Sequence, residues 1–241
     1  VYLWITMGTL YLVRHSQASF GSTEYDRLSP LGIRQAHILG DYFAHRGLEF
    51  QRFYSGEMQR QIATAHAVMS RLPGAPAESD LHVLPEFNEY KAHTILGHLV
   101  PGLIEEDPAI AEAVANLFSH SRALEVVFER AMTRWASGEY DVPGVESWVE
   151  FKRRVSKGVT RVMEEMGRKG KSVVFTSGGA ICRTVGIALG ISDEVALRLA
   201  LQTLNTGVST FKYRGADPIL MSFNSVAHLE LCNDPGLITY R

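Results

Sequence analysis

Arg14 and His15 follow directly on an apolar run, Thr9-Leu10-Tyr11-Leu12-Val13. A guanidinium can grip a phosphoryl group through two parallel hydrogen bonds. A neutral imidazole beside it can attack phosphorus or move a proton. On the dipeptide alone, an Arg and a His that merely open a loop is the simpler reading. Three further places bear on the choice: Ser55 leading to Arg60, Glu86 or Glu89, and Thr176-Ser177-Gly178-Gly179. Together they offer two guanidiniums, an imidazole, a carboxylate and a run that opens a helix. Backbone N–H groups at a helix start favour an anion, so the set suits a phosphoryl group.

Such a site needs elements that bring these places together. The run before Arg14 has the continuous apolar character of a strand buried in a parallel sheet, and ligands in open α/β sheets sit beyond the strands' carboxyl ends. Ser29-Pro30 predicts a helix start, and Ile33, Ala36, Leu39, Tyr42 and Phe43 continue it at helical spacing up to Gly47. Phe50 to Tyr54 reads as a second strand, followed by a helix carrying Arg60, Ala63, Ala67 and Val68. His82-Val83-Leu84 reads as a third, and Ser172 to Thr176 as the clearest buried strand, followed by a helix from Ala180 to Leu189. Glu146 to Arg168 reads as one long amphipathic helix with Trp148, Phe151, Val155, Val159 and Val162 facing inward. Gly207 to Tyr213 and Ile219 to Asn224 read as an edge pair or hairpin.

Between Lys91 and Gly144 no strand pattern appears, while Ala109–Leu117 and Leu124–Trp135 have apolar helical faces. Residues 91–144 are expected to form a helical insertion, either a cap that selects substrate or a packing appendage. The alternation of strands and helices predicts an α/β fold: a three-layer sandwich, a mainly parallel sheet with helices on both faces, in one domain spanning residues 7–241.

Composition narrows the partners. Lys plus Arg number 24 against 26 Asp plus Glu, a formal charge of −2, which leaves no electrostatic footprint for non-specific nucleic-acid binding. Cys182 and Cys232 make no disulfide framework. No apolar run reaches the roughly 20 residues of a spanning helix, so no membrane partner and a cytoplasmic location are expected. Met7 looks like a natural start, with residues 1–6 an extension. The remaining histidines show no metal-ligand spacing, so no metal and no cofactor are expected.

The pieces Leu12-Val13-Arg14-His15, Leu28-Ser29-Pro30-Leu31-Gly32-Ile33-Arg34-Gln35-Ala36, Tyr54 to Ala65 around Arg60, Leu84-Pro85-Glu86, Val173 to Ile181, Asn205 to Ser209 and Phe223-Asn224 with His228-Leu229 come in a single order along the chain. In that order the chain resembles the histidine phosphatase superfamily, also called phosphoglycerate mutase-like. The resemblance implies that His15 takes the phosphoryl group, forming a phosphohistidine. It implies that Arg14 and Arg60 bind the phosphoryl oxygens, and that Glu86 is the general acid, with Glu89 the runner-up on the same loop. Gln17 and Ser19 are further candidates for phosphate contact, His228 is expected to be structural, and His93 and His98 in the insertion are candidates for touching substrate.

Two positions depart from the family pattern. Ser16 follows His15 where glycine is common. More important, Ser177 stands where the family usually has a second histidine that donates to phosphoryl oxygens. A serine hydroxyl is shorter, neutral and donates one hydrogen bond. Losing one such donor costs about 3–4 kcal/mol of transition-state stabilisation. The resemblance therefore implies a phosphomonoester hydrolase acting on a small phosphorylated substrate, of reduced activity. The alternative is a phospho-ligand-binding protein with weak or no turnover, in which Ser177 binds phosphate or only caps its helix. Mutase-type transfer ranks below both. A reading from another class makes Ser177 the nucleophile of a serine hydrolase elbow with Asp217 and His228, but Phe175 crowds that turn and Arg14, His15 and Arg60 are left without purpose.

Overall fold

The computed structural model describes residues 7–19, 26–116 and 121–240. The expected extension, residues 1–6, and residues 20–25 of the polar loop after His15 lie outside the described residues, as does Leu117 at the end of an expected helix.

Six strands form one mixed sheet in the order β3-β2-β4-β1-β5-β6. Strands β1 (Gly8–Arg14), β2 (Arg52–Ser55), β3 (Leu81–Val83) and β4 (Lys171–Thr176) run parallel, β1 beside β4, β4 beside β2 and β2 beside β3. β5 (Val208–Tyr213) pairs antiparallel with β1, and β6 (Pro218–Ser225) antiparallel with β5, closing one edge as a hairpin. The α/β reading thus holds.

Side-chain alternation along each strand divides the core into two layers. Val13, Phe53, Val173 and Phe175 face helices α1 (Pro30–His45) and α2 (Gln59–Met69), packing on Ala36, Leu39, Phe43, Ala65 and Val68. Leu10, Leu12, Tyr54 and Val174 face the other way, into a cluster with Phe151, Val155 and Val159 of α6 (Trp148–Met166) and Ile181 and Val185 of α7 (Gly178–Leu189). Helix α1 starts where Ser29 Oγ accepts the Gly32 N–H at 3.0 Å and Pro30 takes the first helical position. Helix α6 starts with a reciprocal Ser147–Glu150 capping box.

The segment 91–144 contains α3 (Ala92–Glu106), α4 (Pro108–Ala115) and α5 (Ser121–Ala136). Ile95, Leu99, Leu103, Ile110, Val127 and Trp135 join the α6–α7 core layer, so these helices extend that core. Three helices among the described residues fall where periodicity made no individual assignment: α3 within the expected insertion, α8 (Asp193–Gln202), capped by Ser192, and the short α9 (Ala227–Glu230).

Neighbouring β1 and β4 send their chains to opposite faces, β1 into α1 and β4 into α7. The crevice beyond their carboxyl ends is therefore a topological switch point, where open α/β sheets bind ligands.

Candidate active site

The parallel register pairs Arg14 with Thr176, and the His15 N–H extends it by donating to Thr176 O at 2.8 Å. His15 and Ser177 thus leave the sheet side by side. The His15 ring is 5% exposed. Its Nδ1 lies 2.9 Å from Ser16 O, and Arg60 Nε–H donates to its Nε2 at 3.2 Å. An arginine always donates, so Nε2 accepts and the ring proton sits on Nδ1, given to Ser16 O. Burial, then the charges of Arg60 and Arg14, hold the imidazole well below its ordinary 6.5, against a smaller upward pull from Ser16 O. The ring is neutral at pH 7 with its Nε2 lone pair among cationic groups.

Arg60 reaches this ring from the first turn of α2. Its Nη1 also pairs with Asp26 Oδ1 at 2.5 Å, while Asp26 Oδ2 accepts the Gln59 N–H at 2.8 Å. Asp26 therefore orients the guanidinium and serves the start of α2, whose capping residue Met58 has no side-chain acceptor. Arg14 donates to Thr203 O, and to Tyr240 O at 3.2 Å. The Asn205 side chain donates to His15 O at 3.0 Å, which ties the loop before β5 to the back of the site. Sequence reading gave no role to Asp26, Asn205 or Gln61. Their partners lie tens to nearly two hundred residues away, so no local pattern marks them.

The two candidate carboxylates part company. Glu89 is half-buried against α7: Oε2 accepts the Gly179 N–H at the start of that helix at 2.9 Å, and Oε1 accepts the Tyr90 N–H at 3.2 Å. Burial raises its carboxyl above the ordinary 4.5, opposed by these N–H groups and by the charges of Arg60 and Arg14. Glu86 instead faces α6. Its Cβ lies against Gly158, and Oε1 is 3.8 Å from Arg161 Nη1. It borders an outer crevice of about 660 Å³ with Glu146, Glu150, Arg153 and Lys157. The expectation that Glu86 serves the His15 site is not matched by its placement. The loop is rotated by Phe87, fully buried in the core, whose carbonyl accepts from Thr176 Oγ1 at 2.7 Å and Gln61 Nε2 at 3.1 Å.

Ser177 is buried at the first turn of α7, yet its hydroxyl makes no capping bond there. Its Oγ accepts from Gln61 Nε2 at 2.8 Å. Gln17, expected at phosphate, is turned to α1: its Oε1 accepts from Ser29 Oγ at 2.7 Å and its N–H donates to Gln35 Oε1 at 2.9 Å. Ser16 is buried with its hydroxyl 2.9 Å from Thr64 Oγ1. The Ser19 N–H donates to Arg27 O at 2.8 Å. His93 and His98 are exposed on α3. Asp217 is exposed in the β5–β6 turn, and β5 runs antiparallel to β1, so that turn lies at the opposite end of the sheet from Ser177. His228 bonds Thr206 Oγ1 at 2.8 Å. The serine-hydrolase triad is therefore not assembled. Among the described residues no group of three or more His, Cys, Asp or Glu is placed to hold a metal ion.

What converges beyond β1 and β4 is a neutral imidazole, two guanidiniums, a helix N-terminus, a hydroxyl and a carboxyl of raised pKa. The family model for the histidine phosphatase superfamily (branch 1) matches residues 10–125 and 104–226, and the chain belongs to that superfamily. It is 33% identical over 115 residues to the serine/threonine-protein phosphatase PGAM5, mitochondrial, of Rattus norvegicus, a match covering 46% of this chain and 40% of the relative. The Homo sapiens protein of the same name matches at 33% over 46% of this chain and 39% of its own length. The chain thus spans well under half the length of these relatives. Among solved structures it superposes on phosphoglycerate mutase from Bacillus anthracis with a TM-score of 0.64 and 16% identity, covering 96% of this chain and 99% of the other. Phosphoserine phosphatase from Entamoeba histolytica superposes with a TM-score of 0.61 and 21% identity, covering 92% and 100%. No helix among the described residues is long and apolar enough to cross a membrane.

Proposed function

We propose that the protein is a phosphomonoester hydrolase working through a phosphohistidine on His15. The observation that carries this reading is the state of that ring: buried, neutral, its proton committed to Ser16 O and its Nε2 held 3.2 Å from Arg60 Nε. A phosphoryl group seated among Arg14, Arg60 and the start of α7 draws the Arg60 N–H donors onto its oxygens, which frees the Nε2 lone pair that Arg60 Nε–H occupies in its absence. Nε2 attacks phosphorus, the bond to the leaving oxygen breaks, and that oxygen takes the proton of Glu89. The two guanidiniums offset the charge that builds on the phosphoryl oxygens. Water then attacks the phosphohistidine, giving its proton to the Glu89 carboxylate and releasing phosphate. Glu89, not Glu86, is assigned the acid because it sits against the start of α7 within the field of both arginines, and burial raises its carboxyl above the ordinary value. Gln17 is assigned to holding the loop after β1 on α1.

The similar proteins, a serine/threonine-protein phosphatase and a phosphoserine phosphatase, favour a phosphorylated amino acid or small phosphate ester as substrate class. Trp135 of α5 packs on Tyr90, next to Glu89, which supports a role of α3–α5 as a substrate-selecting cap. Ser177 favours a second reading, a phospho-ligand-binding protein with little turnover, since one neutral hydroxyl replaces a stronger donor.

The test is a panel of phosphate esters assayed without added metal. The parent hydrolyses members of the panel, and His15→Ala abolishes hydrolysis while circular dichroism shows an unchanged fold. A His15→Ala variant that hydrolyses as fast as the parent would end the phosphohistidine reading. Tight phosphate binding by a parent that turns nothing over would select the binding protein.

A further inference from the structure

Gln61 neighbours Arg60 in the first turn of α2, and the two side chains reach adjacent strand ends. Arg60 Nε meets His15 Nε2, and Gln61 Nε2 meets Ser177 Oγ. Gln61 is fully buried. Its amide orientation follows from Phe87 O, which can only accept and lies 3.1 Å from Nε2. Both Nε2 protons are then spent, one on Phe87 O and one on Ser177 Oγ at 2.8 Å. Oε1 has no donor among the described residues. It lies where a Cβ on Gly56 would come within 2.0 Å, so a glycine there lets the amide take this pose.

A hydroxyl that accepts from an amide must donate its own proton elsewhere. Ser177 Oγ has no acceptor for that proton among the described residues and makes no capping bond to α7. The next position along the sheet is His15 and the anion seat in front of it. We propose that Gln61 is a positioning residue which fixes Ser177 as a hydrogen-bond donor to the phosphoryl group. Without Gln61 the hydroxyl loses the donor that holds its oxygen and can rotate its proton away from an anion. The Gln61–Ser177 pair thereby performs, with two uncharged side chains, the donation that a single cationic or imidazole donor would make. The inference rests on the phosphatase reading, since it needs an anion in front of His15.

The experiment is a double-mutant cycle with Gln61→Met and Ser177→Ala, read by p-nitrophenyl phosphate hydrolysis, by inorganic phosphate binding in calorimetry, and by thermal unfolding. Gln61→Met keeps the volume and removes the donor. Ser177→Ala lowers kcat/KM by about 10²-fold. Gln61→Met lowers it by roughly tenfold when Ser177 is present and by less than about twofold in the Ser177→Ala background. Loss of the bond to Phe87 O lowers Tm in both backgrounds alike, so a purely structural role predicts the same rate loss in both. Equal rate loss in the two backgrounds, or a Ser177→Ala variant as active as the parent, overturns the inference. Should the parent hydrolyse nothing, the same cycle is read on the Kd for phosphate, with the same pattern expected and the same outcome overturning it. Failure of the parent reading shows separately, as hydrolysis surviving in His15→Ala.

Discussion

Glu86 and Glu89 are three residues apart and chemically alike, yet their surroundings differ. Glu89 touches the start of α7 and feels both Arg14 and Arg60, whereas Glu86 faces Arg161 on α6. Glu89→Gln is therefore expected to lower kcat by about 10²–10⁴-fold for a leaving group that needs a proton, and Glu86→Gln to change it by less than about threefold. Steady-state kinetics of the two variants decide it, and the reverse ranking would restore Glu86 as the acid. In the proposed mechanism His15 and Glu89 set the pH profile. His15 must be deprotonated to attack, and its pKa lies well below 6.5, so activity does not fall where a free imidazole would protonate. Glu89 must be protonated to donate, and its pKa lies above 4.5, so activity falls as pH rises through that raised value. The kcat/KM profile is expected to carry an alkaline limb from Glu89 that flattens in Glu89→Gln.

Helix α7 must start close against the loop that carries Glu89, and Gly179 permits it. A Cβ there would stand 2.2 Å from Glu89 Oε1 and 2.6 Å from Tyr90 Cε1. In an open helix, Gly to Ala stabilises by roughly 0.5–1 kcal/mol. Here Gly179→Ala is expected to destabilise by about 1–3 kcal/mol, because the carboxylate and ring have to shift, and to lower activity as Glu89 leaves the α7 N-terminus. Urea unfolding of the variant measures the sign directly. A gain in stability would mean that the approach of α7 to the Glu89 loop is looser than described.

At the scale of the whole molecule, folding buries the imidazoles of His15 and His228 in neutral form. His228 packs against Tyr42, bonds Thr206 Oγ1 and is pushed down by burial from 6.5 to about 4. The unfolded chain then binds a proton that the folded chain refuses, so this contribution is complete above pH 6.5 and is lost as pH falls toward 4. A displacement of this size is worth about 3 kcal/mol. Between pH 7 and 4 the unfolding free energy of the parent is expected to drop by that much more than that of His228→Gln. Denaturant titrations of both proteins at the two pH values test this, and equal losses would remove His228 from the account. His15, depressed in the same direction, adds to the acid sensitivity.

The linear chain determined the parts governed by neighbours in sequence. Apolar runs and helical spacing were enough for the alternation of strands and helices, since each element's burial shows in its own period. Arg14 and His15 were legible because they terminate the strand that carries them, and Arg60 because it sits in the first turn after a strand. Helix α8 was not read, although Ser192-Asp193-Glu194 is a capping signal. The tertiary structure alone decided which glutamate faces the crevice: a short 3-10 turn at Pro85–Phe87 followed by extended Asn88 permits either rotation, and the burial of Phe87 selects one. It also decided that Gln17 serves α1, that Asp26 serves Arg60 and that Gln61 serves Ser177. Each of these is a contact between side chains brought together by the packing of separate elements, and such packing leaves no period in the sequence.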